Sequence, residues 1–407
     1  MFIAEKRPYS PLTTSVFVAD QKSIVILGST GSIGTSCLDI IRSHPDRMKL
    51  VGATANRSRE ALAAQAHEFR PDWVLLTDEQ QPKLSATEVA EGTARYSGTS
   101  ELQKLIHPDS VDIVVSSMVG AAGLQPTWHA IDNGIDVALA NKESLVVAGP
   151  LMTRRAAETG AAILPVDSEH SAVFQALQAG RRQDVRRIVL TASGGPFRNA
   201  ASTDLKNVTP QQALKHPTWN MGPKITIDSA TMMNKALEVI EARWLFGITA
   251  DQISVVVHPQ SIVHSFVEFN DGSVIAQMSP PDMRLPIQYA LTYPDRIECP
   301  CPDTDWQTPM NLEFAPPDFD VFPALKLGFE VAESGGTSGA ILNAANEVAV
   351  QRFLNHQIRF DQIPMLCQDI LNHHQFDSSP TLAALGESDQ WARQQAEKWQ
   401  EGSSTAS

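Results

Sequence analysis

Asp167-Ser168-Glu169 places two carboxylates one residue apart, so that both can face a single cation, with a hydroxyl between them to donate to a ligand oxygen. Oxygen donors without a thiol suit a hard divalent ion, Mg²⁺ or Mn²⁺, with Co²⁺ also admissible. An Asp-x-Glu is equally an ordinary acidic loop, so the pair needs a third partner. Far along the chain, Thr231, Asn234, Lys235 and Glu238 recur at helical spacing, on a different face from Met233, Leu237, Ile240 and Trp244. A polar stripe of this kind is ordinarily the solvated side of a helix. This one gathers an amide, an ammonium and a carboxylate within about one turn. Ser193-Gly194-Gly195-Pro196 adds small residues that can admit a phosphate against backbone N–H groups.

A second kind of chemistry is written in Gly28-Ser29-Thr30-Gly31-Ser32-Ile33-Gly34. Glycines at these positions let the backbone turn and approach a pyrophosphate, which then sits on a helix N-terminus. The sequence after the second strand expected below reads Ala53-Thr54-Ala55-Asn56-Arg57-Ser58-Arg59. It has no carboxylate to accept from a ribose 2′-hydroxyl, which favours NADP over NAD. Arg57 and Arg59 are either partners for a 2′-phosphate or solvated first-turn residues. Between His216 and Pro223 lies a stretch without period, holding Trp219, Met221 and Gly222. It reads either as a lid that closes over a ligand or as a rigid loop with Trp219 plugged into the core.

These residues need elements to hold them. Short, nearly all-apolar runs at 23–27, 49–54, 73–77, 112–116, 136–140 and 161–166 read as strands covered on both faces, and crossover-length helical segments separate them. The glycine loop follows the first strand, and Asp167 follows the last. Beyond Asp167, strands are expected at 185–192, 253–258, 262–269 and 273–278, the last two joined by an Asn270-Asp271-Gly272 hairpin. A helix over 229–246, capped by Asp228 or Ser229, interrupts them. The fold class is therefore α/β: a doubly wound parallel-sheet dinucleotide domain, an α+β catalytic domain and a small C-terminal helical bundle. The expected divisions are a disordered lead-in at 1–21, the dinucleotide domain at 22–167, and the catalytic and dimerisation domain at 168–292. A proline-rich linker at 293–319 and the helical domain at 320–407 follow.

With 32 basic against 46 acidic side chains, the chain carries a formal charge of −14, which argues against nucleic acid or an anionic membrane as the main partner. Phosphate must then be gathered by a local concentration of donors. The four cysteines, Cys37, Cys299, Cys301 and Cys367, lack zinc-site spacing and read as structural or incidental thiols of a reducing, cytoplasmic compartment. No apolar run reaches membrane-spanning length, and the first twenty residues lack the apolar core of a secretory signal.

Taken together, Gly28–Gly34, Ala140-Asn141-Lys142-Glu143-Ser144, Leu164 to His170, Ser193 to Phe197 and the run from His216 to Phe246 resemble the 1-deoxy-D-xylulose 5-phosphate reductoisomerase family. Asp228-Ser229-Ala230-Thr231-Met232-Met233-Asn234-Lys235 is the most specific of these segments, and the likeness continues through Gly339 to Glu347. The resemblance implies an NADPH enzyme that rearranges a phosphorylated pentulose and reduces the resulting aldehyde to 2-C-methyl-D-erythritol 4-phosphate, for isoprenoid precursors. It implies a metal held by Asp167, Glu169 and Glu238, and catalytic roles for Lys142, Glu169, Glu238 and His216. Substrate would be bound by Lys142, Ser168, Ser193, His216, Ser229, Asn234, Lys235 and Glu238. The cofactor would meet Thr30, Gly31, Ser32, Ile33, Asn56, Asn141, Glu143 and Gly222. Trp219 and Met221 would belong to a flexible lid, and strands in 262–278 to a homodimer interface. Thr54-Ala55 departs from the glycine followed by a basic or small residue that many members carry before Asn56, which leaves Arg57 as the substitute contact.

Two other classes fit less of the chain. A metal-dependent phosphatase or kinase-like enzyme would not need the glycine loop, and a dinucleotide sensor would not need Asp167, Glu169, Glu238 and Lys235 together. A reductase of the aspartate-semialdehyde type would need a catalytic cysteine in the second domain, where none is suitably placed.

Overall fold

The computed structural model describes residues 21–219 and 221–402. The lead-in expected at 1–21 therefore lies, apart from Gln21, outside the described residues. The chain divides into two compact units. One comprises the chain up to Asn141 with Met152–Asp167 and Asp282–Pro302; the other comprises Lys142–Leu151, Ser168–Pro281 and the chain from Asp303 onward.

Among the described residues, the first unit holds a seven-stranded sheet: β1 (Lys22–Leu27), β2 (Met48–Ala55), β3 (Trp73–Leu76), β4 (Ala94–Ser97), β5 (Ile113–Ser116), β6 (Asp136–Leu139) and β7 (Ile163–Pro165). All its pairings are parallel, in the order β4-β3-β2-β1-β5-β6-β7. The order reverses between β1 and β5, so the crevice where a doubly wound sheet binds its ligand opens at the end of β1. Ile24, Val25, Ile26 and Leu27 are completely buried there, as strands covered on both faces must be. β4 was not among the expected strands. Its sequence, Ala-Arg-Tyr-Ser, is half polar and only partly buried, because an edge strand has one neighbour and needs no apolar run.

The second unit holds β8 (Val185–Ala192), β9 (Ile253–Val257), β10 (Val263–Phe269) and β11 (Val274–Met278), in the order β11-β10-β8-β9. β10 runs antiparallel to both neighbours, whereas β8 and β9 are parallel. Gly272, in the left-handed region at φ 87°, closes the expected hairpin. The helix Ser168–Ala176 packs against this sheet. Four helices, Pro323–Ser334, Ser338–Leu354, Gln362–His373 and Leu382–Lys398, form the terminal bundle among the described residues.

The helix expected at 229–246 is a correction. It is two helices, Pro223–Ala230 and Met233–Phe246, broken at Met232, whose backbone is left-handed at φ 62°. Asp228 and Ser229 therefore lie at the end of the first helix and cap nothing. Thr231 makes the joint instead: its hydroxyl donates back to the Ile227 carbonyl (3.1 Å) and accepts from the Met233 N–H (3.3 Å). Apolar periodicity runs across the break and hides it. The break puts Ser229 and the Asn234–Lys235 pair on separate helices.

Candidate active site

In the first unit, the turn after β1 is fixed by the end of β2. The Gly28 N–H donates to Thr54 Oγ1 (2.9 Å), and the Ser29 N–H to the Thr54 carbonyl (2.8 Å). Ser29 is fully buried, and its hydroxyl donates to Gln65 Oε1 at 2.6 Å. It stiffens the turn rather than facing a ligand. A Cβ on Gly34 would lie 2.4 Å from the Gly28 carbonyl oxygen, so only glycine lets the helix Ser32–Ser43 begin this close to the turn. Gly31, Ser32 and Asn56 are exposed, and Thr30 and Ile33 half-buried. Arg59 is committed to Glu88 through two bonds (2.7 and 2.6 Å) and to the Pro82 carbonyl. That guanidinium, with Ser85, pulls the Glu88 carboxyl down to about 2. Arg57 makes one bond, to Asp78 (2.8 Å), and leaves 74% of its side chain exposed. Of the two arginines, Arg57 has donors to spare. Asn141 is buried, its amide donating to the Met118 (2.7 Å) and Gly120 (3.0 Å) carbonyls.

The second unit carries the buried lysine and glutamate pairs. The stripe on Met233–Phe246 is no solvated face: Lys235 is 3% exposed and Glu238 fully buried. Lys142 Nζ lies 3.1 Å from Glu238 Oε1 and donates to Asn234 Oδ1 at 2.9 Å. Asn234 Nδ2 also donates to Glu238 Oε1 (2.5 Å), and Lys235 pairs with Glu238 and, at 3.2 Å, with Glu169. Ser168 donates to Glu169 Oε2 (2.6 Å). Asp167 is the residue bonded directly to Ser168, so the chain itself sets it beside Glu169. Asp167, Glu169 and Glu238 each offer an oxygen, all within 4.8 Å of one another. Burying such charge is tolerable only when it is paired, and the Lys142 and Lys235 ammoniums supply that pairing for Glu238 and Glu169. Three carboxylate oxygens this close, with no thiol among them, fit a hard divalent cation.

A neighbouring cluster forms where β8 ends. His216 Nδ1 accepts the backbone N–H groups of Thr218 (3.2 Å) and Trp219 (2.8 Å). Nδ1 is therefore unprotonated, and Nε2, 3.0 Å from Ser193 Oγ, carries the ring proton and donates it. Burial pushes the His216 pKa below its ordinary value, which favours this neutral form. The Ser193 hydroxyl also accepts from the Gly195 N–H (3.2 Å). A Cβ on Gly195, at φ 64°, would lie 2.8 Å from the Ser229 carbonyl, so the Ser193 turn packs directly on the helix bearing Ser229. Trp219 is half-buried, its ring centre 6.4 Å from that of His264. Gly222 is exposed at the start of the Pro223–Ala230 helix.

Two residues given no role above act here. His170, completely buried, has Nε2 3.0 Å from the Glu238 carbonyl and Nδ1 3.0 Å from Glu241 Oε2. It thereby holds the backbone of Glu238 against the helix that carries Glu169. Glu241, three residues past Glu238, looks in sequence like one more surface charge; only its burial singles it out.

A dinucleotide-type sheet joined in one chain to a separate unit carrying a carboxylate and lysine centre defines a metal-dependent oxidoreductase. Three domain profiles of one family match the chain. They are 1-deoxy-D-xylulose 5-phosphate reductoisomerase over residues 24–149, its C-terminal domain over 163–246, and the DXP reductoisomerase C-terminal domain over 278–395. The reductoisomerase of Chlorobium chlorochromatii is 51% identical over 376 residues, 92% of this chain and 98% of that protein. That of Rhodopirellula baltica is 47% identical over 427 residues, covering 92% and 94%. Among solved structures, the Zymomonas mobilis reductoisomerase in complex with NADPH superimposes with a TM-score of 0.87 at 40% identity, covering 94% of this chain and 100% of that one. A DOX-P reductoisomerase bound to NADPH, fosmidomycin and magnesium gives 0.86 at 39%, covering 93% and 98%. The chain belongs to the 1-deoxy-D-xylulose 5-phosphate reductoisomerase family.

Proposed function

We propose that the protein converts 1-deoxy-D-xylulose 5-phosphate into 2-C-methyl-D-erythritol 4-phosphate, using NADPH and a divalent metal, in isoprenoid precursor synthesis. The observation that carries this reading is the convergence of Asp167, Glu169 and Glu238 around two ammoniums in a chain that also holds a dinucleotide-type sheet. The relatives bound to NADPH, and to NADPH with fosmidomycin and magnesium, support the same ligands here.

Asp167, Glu169 and Glu238 would hold the cation, with magnesium the best supported and manganese equally suited to the donors. Bound there, it supplies positive charge for oxygens that become negative during rearrangement. Lys142, fixed between Asn234 and Glu238, presents a second positive charge to the reacting oxygens, and Ser168 a hydroxyl. Ser193, Ser229, Asn234 and Lys235 would take the phosphate, whose binding energy then serves to hold the reacting carbons in place. His216, neutral, directs Nε2–H at Ser193 and lies beside the carbon skeleton, while Trp219 and Met221 exclude water. Thr30, Gly31, Ser32, Ile33, Asn56 and Asn141, with Glu143 and Gly222, would contact the cofactor.

The finer assignments are a homodimer and a cytoplasmic location. Exposed Val274 and Ile275 on the edge strand β11 support self-association. Among the described residues no helix is long and apolar enough to cross a membrane. The test is loss of NADPH absorbance with the pentulose phosphate, with and without Mg²⁺ or Mn²⁺. Metal-dependent oxidation of NADPH is expected; none with either ion would overturn the reading.

A further inference from the structure

Lys224 stands outside every role assigned above, yet it is nearly enclosed, with 19% of its side chain exposed. It is the second residue of the Pro223–Ala230 helix. Its ammonium lies 3.0 Å from Glu143 Oε1 and 2.8 Å from Asp228 Oδ2, and those carboxylates are only 10% and 1% exposed. The other oxygen of Asp228, Oδ1, accepts from Asn346 Nδ2 at 2.8 Å, and Asn346 is fully buried. One chain of polar contacts therefore ties three helices of the second unit: the start of Lys142–Thr159, Pro223–Ala230 and Ser338–Leu354.

The residue at the first of these anchors matters most. Glu143 follows Lys142 directly, in the first turn of its helix. Successive side chains on a helix leave about 100° apart, so a turn pinned through Glu143 fixes where Lys142 departs. Lys142 must cross to another helix to reach Asn234 (2.9 Å) and Glu238 (3.1 Å), and a shift of about 1 Å in its origin would break both contacts. The charge of Lys224 and, more weakly, that of Lys142 favour the ionised form of Glu143. Burial alone would discharge both partners. Asp228 and Glu143 outweigh it and keep Lys224 charged, and Lys224 outweighs it for Glu143, holding that carboxyl below its usual range.

We propose that Lys224 is a positioning residue which, by pairing with Glu143, holds the helical turn from which Lys142 reaches Asn234 and Glu238. Its importance for turnover rests on the role given to Lys142 above, but the anchoring itself does not. The test reads Lys142 directly, by amine acetylation of the folded full-length protein and peptide mass spectrometry, with Lys235 as internal reference. In the native protein both lysines should be protected. In Lys224→Met, Lys142 should label at least ~5-fold faster while Lys235 stays protected, since a broken buried pair releases only what it held. Lys224→Arg should restore protection, because a guanidinium can reach both carboxylates. Glu143→Ala cuts the same link from the other end and leaves the Lys224–Asp228 pair in place. It should expose Lys142 alike, and it carries the comparison if Lys224→Met does not fold. Unchanged labelling of Lys142 in either folded variant overturns the proposal. In parallel, kcat should fall ~10-fold in Lys224→Met and return in Lys224→Arg. Exposure of Lys142 without loss of turnover would overturn its part in the reaction and leave its anchoring by Lys224 supported.

Discussion

Glu238→Gln separates a chelating centre from an incidental cluster of charges. The substitution keeps shape and removes one negative charge from a side chain with no solvent exposure. At 3.1 Å and an effective dielectric constant of ~20, the attraction between Lys142 and Glu238 is on the order of 5 kcal/mol before desolvation, and Lys235 adds a second such pair. Removing one partner of a buried pair has a net cost of about 3–5 kcal/mol. The metal-free variant should therefore fold but melt several degrees below the native protein. Turnover should fall at least ~10²-fold, comparable to the loss of a direct electrostatic stabiliser. NADPH affinity should change little, because the glycine turn lies in the other unit. Three measurements on one preparation decide the matter: a thermal melt without metal, Mn²⁺ affinity by titration, and steady-state NADPH oxidation. Mn²⁺ should bind more weakly, and raising its concentration should recover part of the rate. Native turnover and unchanged Mn²⁺ affinity would refute Glu238 as a ligand, and with it the convergence of the two segments on one ion.

Other outcomes follow from single contacts. NADPH should be preferred over NADH by at least ~10-fold in kcat/KM, about 1.4 kcal/mol; Arg57→Ala should lower the ratio, and an unchanged ratio would return Arg57 to the surface. Gly34→Ala sets a methyl group 2.4 Å from the Gly28 carbonyl, so NADPH affinity should drop by ~10-fold or more while Mn²⁺ binding holds. The folded His216 has a lowered pKa, so the unfolded ring protonates first, near 6.5. The contribution of neutral His216 is complete above that value and lost as pH falls through the lower folded one, when Nδ1 can no longer accept from Trp219. The fluorescence difference between native protein and Trp219→Phe should titrate with a midpoint below about 6.5, and a midpoint at or above it would refute the tautomer. The same difference should change when a phosphonate hydroxamate binds with metal; equal responses in the two proteins would mean that Trp219 does not report closure.

Much of this was legible without coordinates, because local chemistry alone decided it. A run such as Ile24–Leu27 has no surface to give to water, and the glycines from Gly28 to Gly34 have no use except where backbone must turn or crowd. The parallel sheet, the turn after β1, the hairpin at Gly272 and the terminal helices follow from such signals, and the motif around Asp228 to Lys235 carried the family. What the sequence could not decide was what faces what. The spacing of Asn234, Lys235 and Glu238 is the same on a solvated helix as on this buried one, and only packing makes the stripe a charged interior. The break at Met232 was invisible because apolar periodicity continues across it, and β4 because an edge strand needs little burial. His170, Glu241 and Lys224 are ordinary letters in one dimension. Their significance comes from burial: a charge cut off from water must find a partner, and which partner lies within 3 Å is fixed by how distant segments pack.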